Sequence, residues 1–256
     1  MRLLSFNIRI NVASDGINAW PHRIKMVAQI IKNGDYPIIG LQEPNLKMVE
    51  DLLEALPLYR YTGIPRDERL EMTPILYRPD IVTLVSSRTF WLSDTPETVS
   101  KFPASHFPRI ATLATFKTAD GTIFRFVNTH LDYVNGEIQK QQMEVLVAEL
   151  VKLDKNEPLP VILTGDFNAV LNDPVNIFLR SALIGNQNLL SIYGELDPKA
   201  TFHDFKGGTA GEPIDYVYLS SSIKNTGWKV IRTDFNGLYP SDHYPVEFSV
   251  EFFKRP

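Results

Sequence analysis

The sequence contains no cysteine. A disulfide framework and a thiolate metal site are therefore both excluded, and any metal must be held by oxygen or imidazole. It also lacks a run of basic residues: 26 Lys and Arg stand against 30 Asp and Glu, for a formal charge of -4. That balance argues against an avid grip on duplex nucleic acid, where phosphate neutralisation drives affinity. The opening Met1-Arg2-Leu3-Leu4-Ser5-Phe6-Asn7 turns polar too early for a signal peptide or membrane span, so a cytoplasmic protein with no membrane span is expected. A Gly-x-Ser-x-Gly elbow is missing, which removes the α/β carboxylic-ester hydrolases. No repeat, low-complexity tract or linker interrupts the 256 residues, and 1–256 is expected to form a single domain.

What is present reads as strands and helices mixed from end to end. Strand character covers Met1 to Ile10, Ile38 to Gln42, Tyr59 to Gly63, Pro74 to Arg78, Ile81 to Ser87 and Phe90 to Ser93. Pro21 to Asn33 reads as a helix, with Ile24, Val27, Ala28 and Ile31 on one face, Pro21 in the first turn and Gly34 as the stop. Lys47 to Leu56, Asn135 to Leu153 and Pro174 to Ser181 read as further helices. Asp120-Gly121 between Ile110–Lys117 and Ile123–Thr129 predicts a hairpin. Pro160 to Thr164, Ile214 to Leu219, Gly227 to Asp234 and Tyr244 to Phe252 complete the strands. Hairpins among crossover helices indicate two packed sheets with helices outside, rather than one doubly wound sheet.

One pattern carries chemistry. Apolar strands repeatedly run toward their ends and then deliver acid, amide or imidazole groups: Asn7, Glu43, Asn128 and His130, Asp166 and Asn168, and, just before the last strand, Asp242 and His243. Strand ends hold side chains rigidly at a shared rim. Singly, each has a bland reading as a solvated loop residue, a turn or a hydrogen-bonded structural imidazole. Together they supply hard oxygen ligands and proton carriers, the donor set magnesium prefers. Alternation in Asp166-Phe167-Asn168 predicts that Asp166 and Asn168 share a side. Trp20 and Arg23 read equally as pocket border or as a packing Trp and a surface Arg, and Tyr133 and Tyr239 equally as stacking groups or rim packing.

The segments Ser5-Phe6-Asn7-Ile8-Arg9, Gly40-Leu41-Gln42-Glu43, Asn128-Thr129-His130-Leu131, Gly165-Asp166-Phe167-Asn168, Ile214-Asp215-Tyr216 and Ser241-Asp242-His243 resemble, in order, the motifs of the endonuclease/exonuclease/phosphatase (deoxyribonuclease-I-like) superfamily. The resemblance implies an α/β fold, a four-layer α/β sandwich of two packed mixed β-sheets flanked by helices. It implies Glu43 as principal ligand of Mg2+ (Mn2+ may replace it), with Asn7 beside it and Asp242 completing or supporting the site. Asp166 looks like the group that activates water, Asn168 like the phosphate-holding amide, and His243 like the essential imidazole oriented by Asp215. His130 looks like a second phosphate-facing imidazole, Glu71 like its carboxylate partner, and Arg109 like a phosphate-contacting arginine.

The implied activity is hydrolysis of a phosphate mono- or diester by in-line attack of water, where a cation and fixed donors offset charge on the phosphoryl oxygens. The substrate is a phosphoester, small molecule or nucleic acid, and no protein partner is predicted. Apurinic-site endonucleases of the superfamily carry an acid where Arg9 stands here, and the start of the chain, the Ala19–Arg23 run and the Arg109–Thr112 segment look most like a bacterial subgroup of general hydrolases. A small or exposed phosphoester is therefore preferred to duplex DNA. Two alternatives remain: a nuclease acting on DNA or RNA, and a non-catalytic binding module that kept the fold, against which the retention of every motif residue speaks.

Overall fold

The structure, a computed structural model, describes residues 1–194, 196 and 198–253. Its first sheet contains β1 (Arg2–Asn7), β2 (Ile38–Gln42), β3 (Arg60–Thr62), β4 (Ile75–Tyr77), β12 (Ile223–Val230) and β13 (Val246–Phe252), in the order β12-β13-β1-β2-β4-β3. The second contains β5 (Val82–Trp91), β6 (Ile110–Thr118), β7 (Ile123–His130), β8 (Val161–Asp166), β9 (Leu183–Ile184), β10 (Gln187–Ser191) and β11 (Asp215–Ser220), in the order β5-β6-β7-β8-β11-β10-β9. Helices α1 (Trp20–Gly34) and α2 (Leu46–Ala55) pack on the first sheet; α3 (Gly136–Asp154) and α4 (Pro174–Ser181) pack on the second.

Strand alternation makes the layers. On β1, Leu4 and Phe6 face the α1 and α2 residues Val27, Ile31, Met48 and Leu52, while Leu3 turns the other way into the core between the sheets with Phe116, Phe126 and Val217. Met143, Leu146 and Leu150 of α3 and Leu179 of α4 extend that second core. Asn45 and Asn135 cap α2 and α3, each side-chain oxygen accepting from a first-turn N–H at 3.0 Å. The expected four-layer sandwich of two mixed sheets is what the chain forms.

Two crossovers set the position of the chemistry. Helix α1 connects β1 to a parallel β2, and α3 connects β7 to a parallel β8, so like ends of these strands lie side by side. Asn7 pairs with Gln42, immediately before Glu43; His130 pairs with Asp166; and antiparallel β11 sets Asp215 opposite Asp166. A buried polar seam joins the sheets beneath this rim. Gln42 Nε2 donates to Asn128 Oδ1 at 2.6 Å, and Asn128 Nδ2 donates across to the carbonyls of Leu41 and Pro74 at 2.7 and 3.1 Å. Gly40 permits that approach, since a Cβ there would lie 2.7 Å from both Asn128 Oδ1 and Thr164 Oγ1.

Some local expectations change. The two predicted pieces at Ile81–Ser87 and Phe90–Ser93 are one strand, β5, whose register against β6 slips between Leu84 and Ser86, a bulge that breaks the hydrophobic alternation. Strands β9 and β10 are too short for a period-two signal, and β12 begins earlier than expected. The Asp15-Gly16 turn lies inside a short 3-10 segment, Ala13–Asn18, with Gly16 at φ 57°. No helix among the described residues is long and apolar enough to cross a membrane.

Candidate active site

The strand ends converge on a cleft of about 480 Å3 whose lining includes Arg9, Glu43, Glu71, Arg109, His130, Asp166, Asn168, Asp242 and His243. Its centre is Asp166, the last residue of β8 and almost fully buried. Asn7 Nδ2 lies between two carboxylates, 2.9 Å from Asp166 Oδ2 and 3.1 Å from Glu43 Oε1. Asn7 Oδ1 accepts from the N–H of Arg9 at 3.0 Å, and Glu43 Oε2 accepts from the N–H of Ile10 at 2.8 Å. Both Arg9 (φ 53°) and Glu43 (φ 71°) adopt the left-handed conformation, a strained choice that over-determined functional loops tolerate.

The imidazole of His243 stands beside Asp166. Its Nδ1 is 2.9 Å from Asp215 Oδ2 and its Nε2 3.6 Å from Asp166 Oδ2. Burial alone would pull this ring down, but the Asp215 and Asp166 carboxylates hold it well above the usual histidine range. That shift favours the charged ring, with Nδ1–H on Asp215 and Nε2–H toward the reacting side of the cleft. Burial, with the nearby Asp215 charge, raises Asp166; burial likewise raises Asp242.

His130 has the opposite character. Asn168 Nδ2 donates to Leu131 O at 2.9 Å, which fixes the orientation of the amide, and lies 3.0 Å from His130 Nε2. That nitrogen therefore accepts, and the proton sits on Nδ1. Burial and the charges of Arg109, Arg66 and His243 keep His130 neutral. Its expected partner Glu71 is near but not bonded: His130 Nδ1 to Glu71 Oε1 is 3.7 Å, beyond hydrogen-bond reach. The Glu71 carboxylate is instead claimed by Arg66 Nη1 at 2.6 Å and approached by Arg109 Nη1 at 3.4 Å. Asn168 itself is not extended but left-handed at φ 51°, its N–H donating to Asp166 Oδ1 at 2.8 Å. The expected outcome is nonetheless met, since Asp166 and Asn168 reach the cleft while Phe167 enters the core.

All ten residues singled out from sequence lie in or immediately around this one cleft; Asn7 and Asp215 act through the bonds given above. Glu43, His130 and Asp166 bring ligand atoms within 4.8 Å of one another, as do Asp166, Asp215 and His243. Four carboxyl groups, of Glu43, Asp166, Asp215 and Asp242, are opposed here by Arg9 and the His243 imidazolium. Those clustered oxygen donors suit a hard divalent cation, while Arg66, Arg69 and Arg109 line another part of the cleft.

Three contributors were left undecided or unassigned by the sequence. Arg23 is fully buried, not a surface group. Its guanidinium donates to the carbonyls of Ile8 and Asn18 at 2.5 Å, Arg9 at 2.8 Å and Pro240 at 2.9 Å. It ties the loop after Asn7 to the loop that carries Asp242 and His243, and burial lowers its pKa to about 10, leaving it charged at neutral pH. Arg66 closes the Glu71 loop, and Phe202 packs edge-on against His243 with centroids 5.0 Å apart. Periodicity cannot reveal any of the three, because each acts through a loop or a non-repeating contact: Arg66 through Glu71 in its own loop, Arg23 and Phe202 through segments far along the chain. Trp20 packs in the core and donates from Nε1 to Asp51 Oδ2 at 2.9 Å, and Tyr239 packs on His203.

Known proteins share this fold. The Endonuclease/Exonuclease/phosphatase family model matches residues 4–243. The mannosyl-6-phosphatase Bt3783 of Bacteroides thetaiotaomicron VPI-5482 superposes with TM-score 0.88 and 29% identity, over 98% of this chain and 100% of that one. An endonuclease/exonuclease/phosphatase from Bacteroides vulgatus gives 0.89 and 29%, over 98% of each. The human Nocturnin catalytic domain, at 21% identity and TM-score 0.79 over 99% of this chain and 94% of that one, shares the fold. Among curated proteins, the RNA exonuclease NGL1 of Saccharomyces cerevisiae is 25% identical over 165 residues, 51% of this chain and 46% of its own length; this chain thus matches about half of that relative. Motifs in order, the sandwich that gathers them and a match from residue 4 to residue 243 make this chain a member of the endonuclease/exonuclease/phosphatase family of phosphoester hydrolases.

Proposed function

We propose that this protein is a divalent-metal-dependent phosphoesterase that hydrolyses small phosphate esters by in-line attack of water. The observation that carries this reading is the row Asp215–His243–Asp166, at 2.9 and 3.6 Å, set against Glu43 through the Asn7 amide in one cleft. Glu43 and Asp166, with Asn7 and Asp242 beside them, would hold magnesium or manganese. Bound there, the cation would offset negative charge on the phosphoryl oxygens and favour ionised water. The Asp166 carboxylate accepts the proton of the attacking water. The Nε2–H of His243 donates to a phosphoryl oxygen as charge builds on it, and Asp215 keeps that imidazolium oriented and charged. Neutral His130, fixed through Asn168, lines the opposite side, and Arg109 adds positive charge to the wall.

The -4 charge and Arg9 in place of an acid support a small ester over duplex DNA. The mannosyl-6-phosphatase among the similar structures supports a sugar phosphate in particular. The RNA exonuclease match supports a second reading, a nuclease on RNA. A panel of sugar phosphates, nucleotides, RNA, single-stranded DNA and bis-para-nitrophenyl phosphate, with Mg2+ or Mn2+, tests both. Turnover of small esters that vanishes in chelator, and falls at least a hundredfold in Asp215→Asn and His243→Ala, is expected. Turnover unchanged by chelator, or near-normal rates in His243→Ala, would overturn the assignment; preference for RNA would select the second reading.

A further inference from the structure

Beyond the reacting centre, the cleft carries an aromatic ledge that the hydrolytic chemistry does not use. Phe107 and Tyr133 both line the cleft. Exposed His106 wedges between them, its ring centroid 4.4 Å from Phe107 and 5.4 Å from Tyr133. Tyr133 is 54% exposed, an amphipathic ring left open at the mouth of a polar site. The other face of the group is charged: the guanidinium carbons of Arg66 and Arg69 lie 4.3 and 5.3 Å from the Phe107 centroid.

This ledge is built, not incidental. Asp132, between His130 and Tyr133, is fully buried. Its Oδ2 accepts from Ser105 Oγ at 2.7 Å and from the N–H groups of His106 and Phe107 at 2.9 and 3.0 Å. Gln142 of α3 completes the tie, its Nε2 donating to Ser105 Oγ at 3.1 Å and its Oε1 accepting from Asp132 N at 2.8 Å. Burying a carboxylate is costly unless several donors satisfy it. Three of the donors come from the segment that displays His106 and Phe107, and a fourth, the Val134 N–H to Oδ1 at 3.1 Å, comes from the segment that carries Tyr133, so the buried charge ties the two sides of the ledge together. Preorganised aromatic faces gain affinity by removing the ordering cost from the bound state.

We propose that this ledge is the leaving-group subsite, taking the flat face of a ring carried by the ester's leaving alcohol, with the open Tyr133 ring as the stacking surface, Phe107 packed beside it under three arginines, and Asp132 as the positioning residue. The inference rests on the phosphoesterase reading and adds a specificity to it: ring-bearing esters over acyclic ones. A pyranose and a nucleoside both present such a face, and the Arg69 guanidinium on the cleft wall would serve hydroxyl or carbonyl groups at the ring edge.

The test measures kcat/KM for mannose 6-phosphate, a nucleoside 5′-monophosphate and acyclic glycerol 3-phosphate in the wild type, Tyr133→Ala, Tyr133→Phe and Asp132→Asn. The wild type is expected to favour one ring ester over glycerol phosphate. Tyr133→Ala should reduce that preference about tenfold, chiefly through KM, as loss of one aromatic contact predicts, whereas Tyr133→Phe retains it. Asp132→Asn should move KM for the ring ester in the same direction; should it fail to fold, the Tyr133 pair decides. Which ring ester leads identifies the occupant. No ring preference in the wild type, or an equal loss on all esters in Tyr133→Ala, overturns the ledge while leaving the phosphoesterase reading standing. A wild type that releases phosphate from none of the esters, and cleaves no diester, overturns both.

Discussion

Arg23 offers the sharpest perturbation, because a single side chain holds two loops of the cleft without entering it. Arg23→Met keeps an unbranched stem but removes the guanidinium, which lies over the Trp20 and Phe205 rings and donates to four main-chain carbonyls, those of Ile8, Arg9, Asn18 and Pro240. Water can reach some of these oxygens only if the loops part. A buried acceptor left without a donor costs about 1–3 kcal/mol. Two orphaned carbonyls, with the others resolvated by loop opening, give a total of about 2–6 kcal/mol. At roughly 2–4 °C per kcal/mol for a chain of this size, the melting temperature should fall by about 10 °C. The loss should not be confined to stability, since Pro240 leads directly to Ser241, Asp242 and His243. At a temperature where the variant is fully folded, kcat should fall at least tenfold with KM for a small ester little changed. Arg23→Lys, with three donors on a point charge in place of a planar fork, should recover only part of either loss. Thermal melts and steady-state kinetics on the three proteins decide it. Arg23→Met that melts within 2 °C of wild type and turns over normally would show that the carbonyl cage neither stabilises the fold nor aligns the site.

Two further perturbations probe the scaffold. Gly40→Ala places a methyl 2.7 Å from Asn128 Oδ1 and Thr164 Oγ1; because Asn128 is pinned by its own bonds, overpacking should cost about 1–3 kcal/mol and lower the melting temperature by several degrees, and an unchanged melt would mean that the seam between the sheets yields freely. His203, stacked on Tyr244 and accepting the Gly207 N–H on Nδ1 at 3.1 Å, is pulled down to about 4 by burial and by the charge of His243. The unfolded chain binds that proton near pH 6.5, so the folded state loses stability as pH falls from about 6.5 to about 4, by no more than about 3 kcal/mol, and gains nothing from this group above neutrality. Denaturant titrations of wild type and His203→Gln across that window should diverge, with the variant losing less; parallel curves would refute the depressed value.

How much was written in the linear sequence follows from the range of the forces involved. Helix α1 was legible because Pro21 and the apolar face through Val27, Ala28 and Ile31 are local, although the left-handed stop falls on Asp35 and not on the expected Gly34. The site residues were legible because strand ends deliver them in compact groups, Gly165 to Asn168 and Ser241 to His243, and because their order matches a known set. The parts that stayed hidden depend on contacts between segments far apart. The bulge in β5 is set by its pairing with β6. The neutral state of His130 and the cationic state of His243 are set by which charges the fold places beside each ring, and no property of histidine in sequence separates them. Glu71 was foreseen as the partner of His130, yet Arg66, five residues earlier in the chain, binds it more closely. Arg23 read equally as a pocket border or a surface residue, and only Pro240 O, 217 positions away, helped decide between them. Sequence alone thus determined which elements form and which chemical groups they offer, since propensity, capping and periodicity act within a few residues. Only tertiary structure decided protonation, partner choice and the rigidity of the cleft, because electrostatics and hydrogen bonding depend on distance in space and on burial.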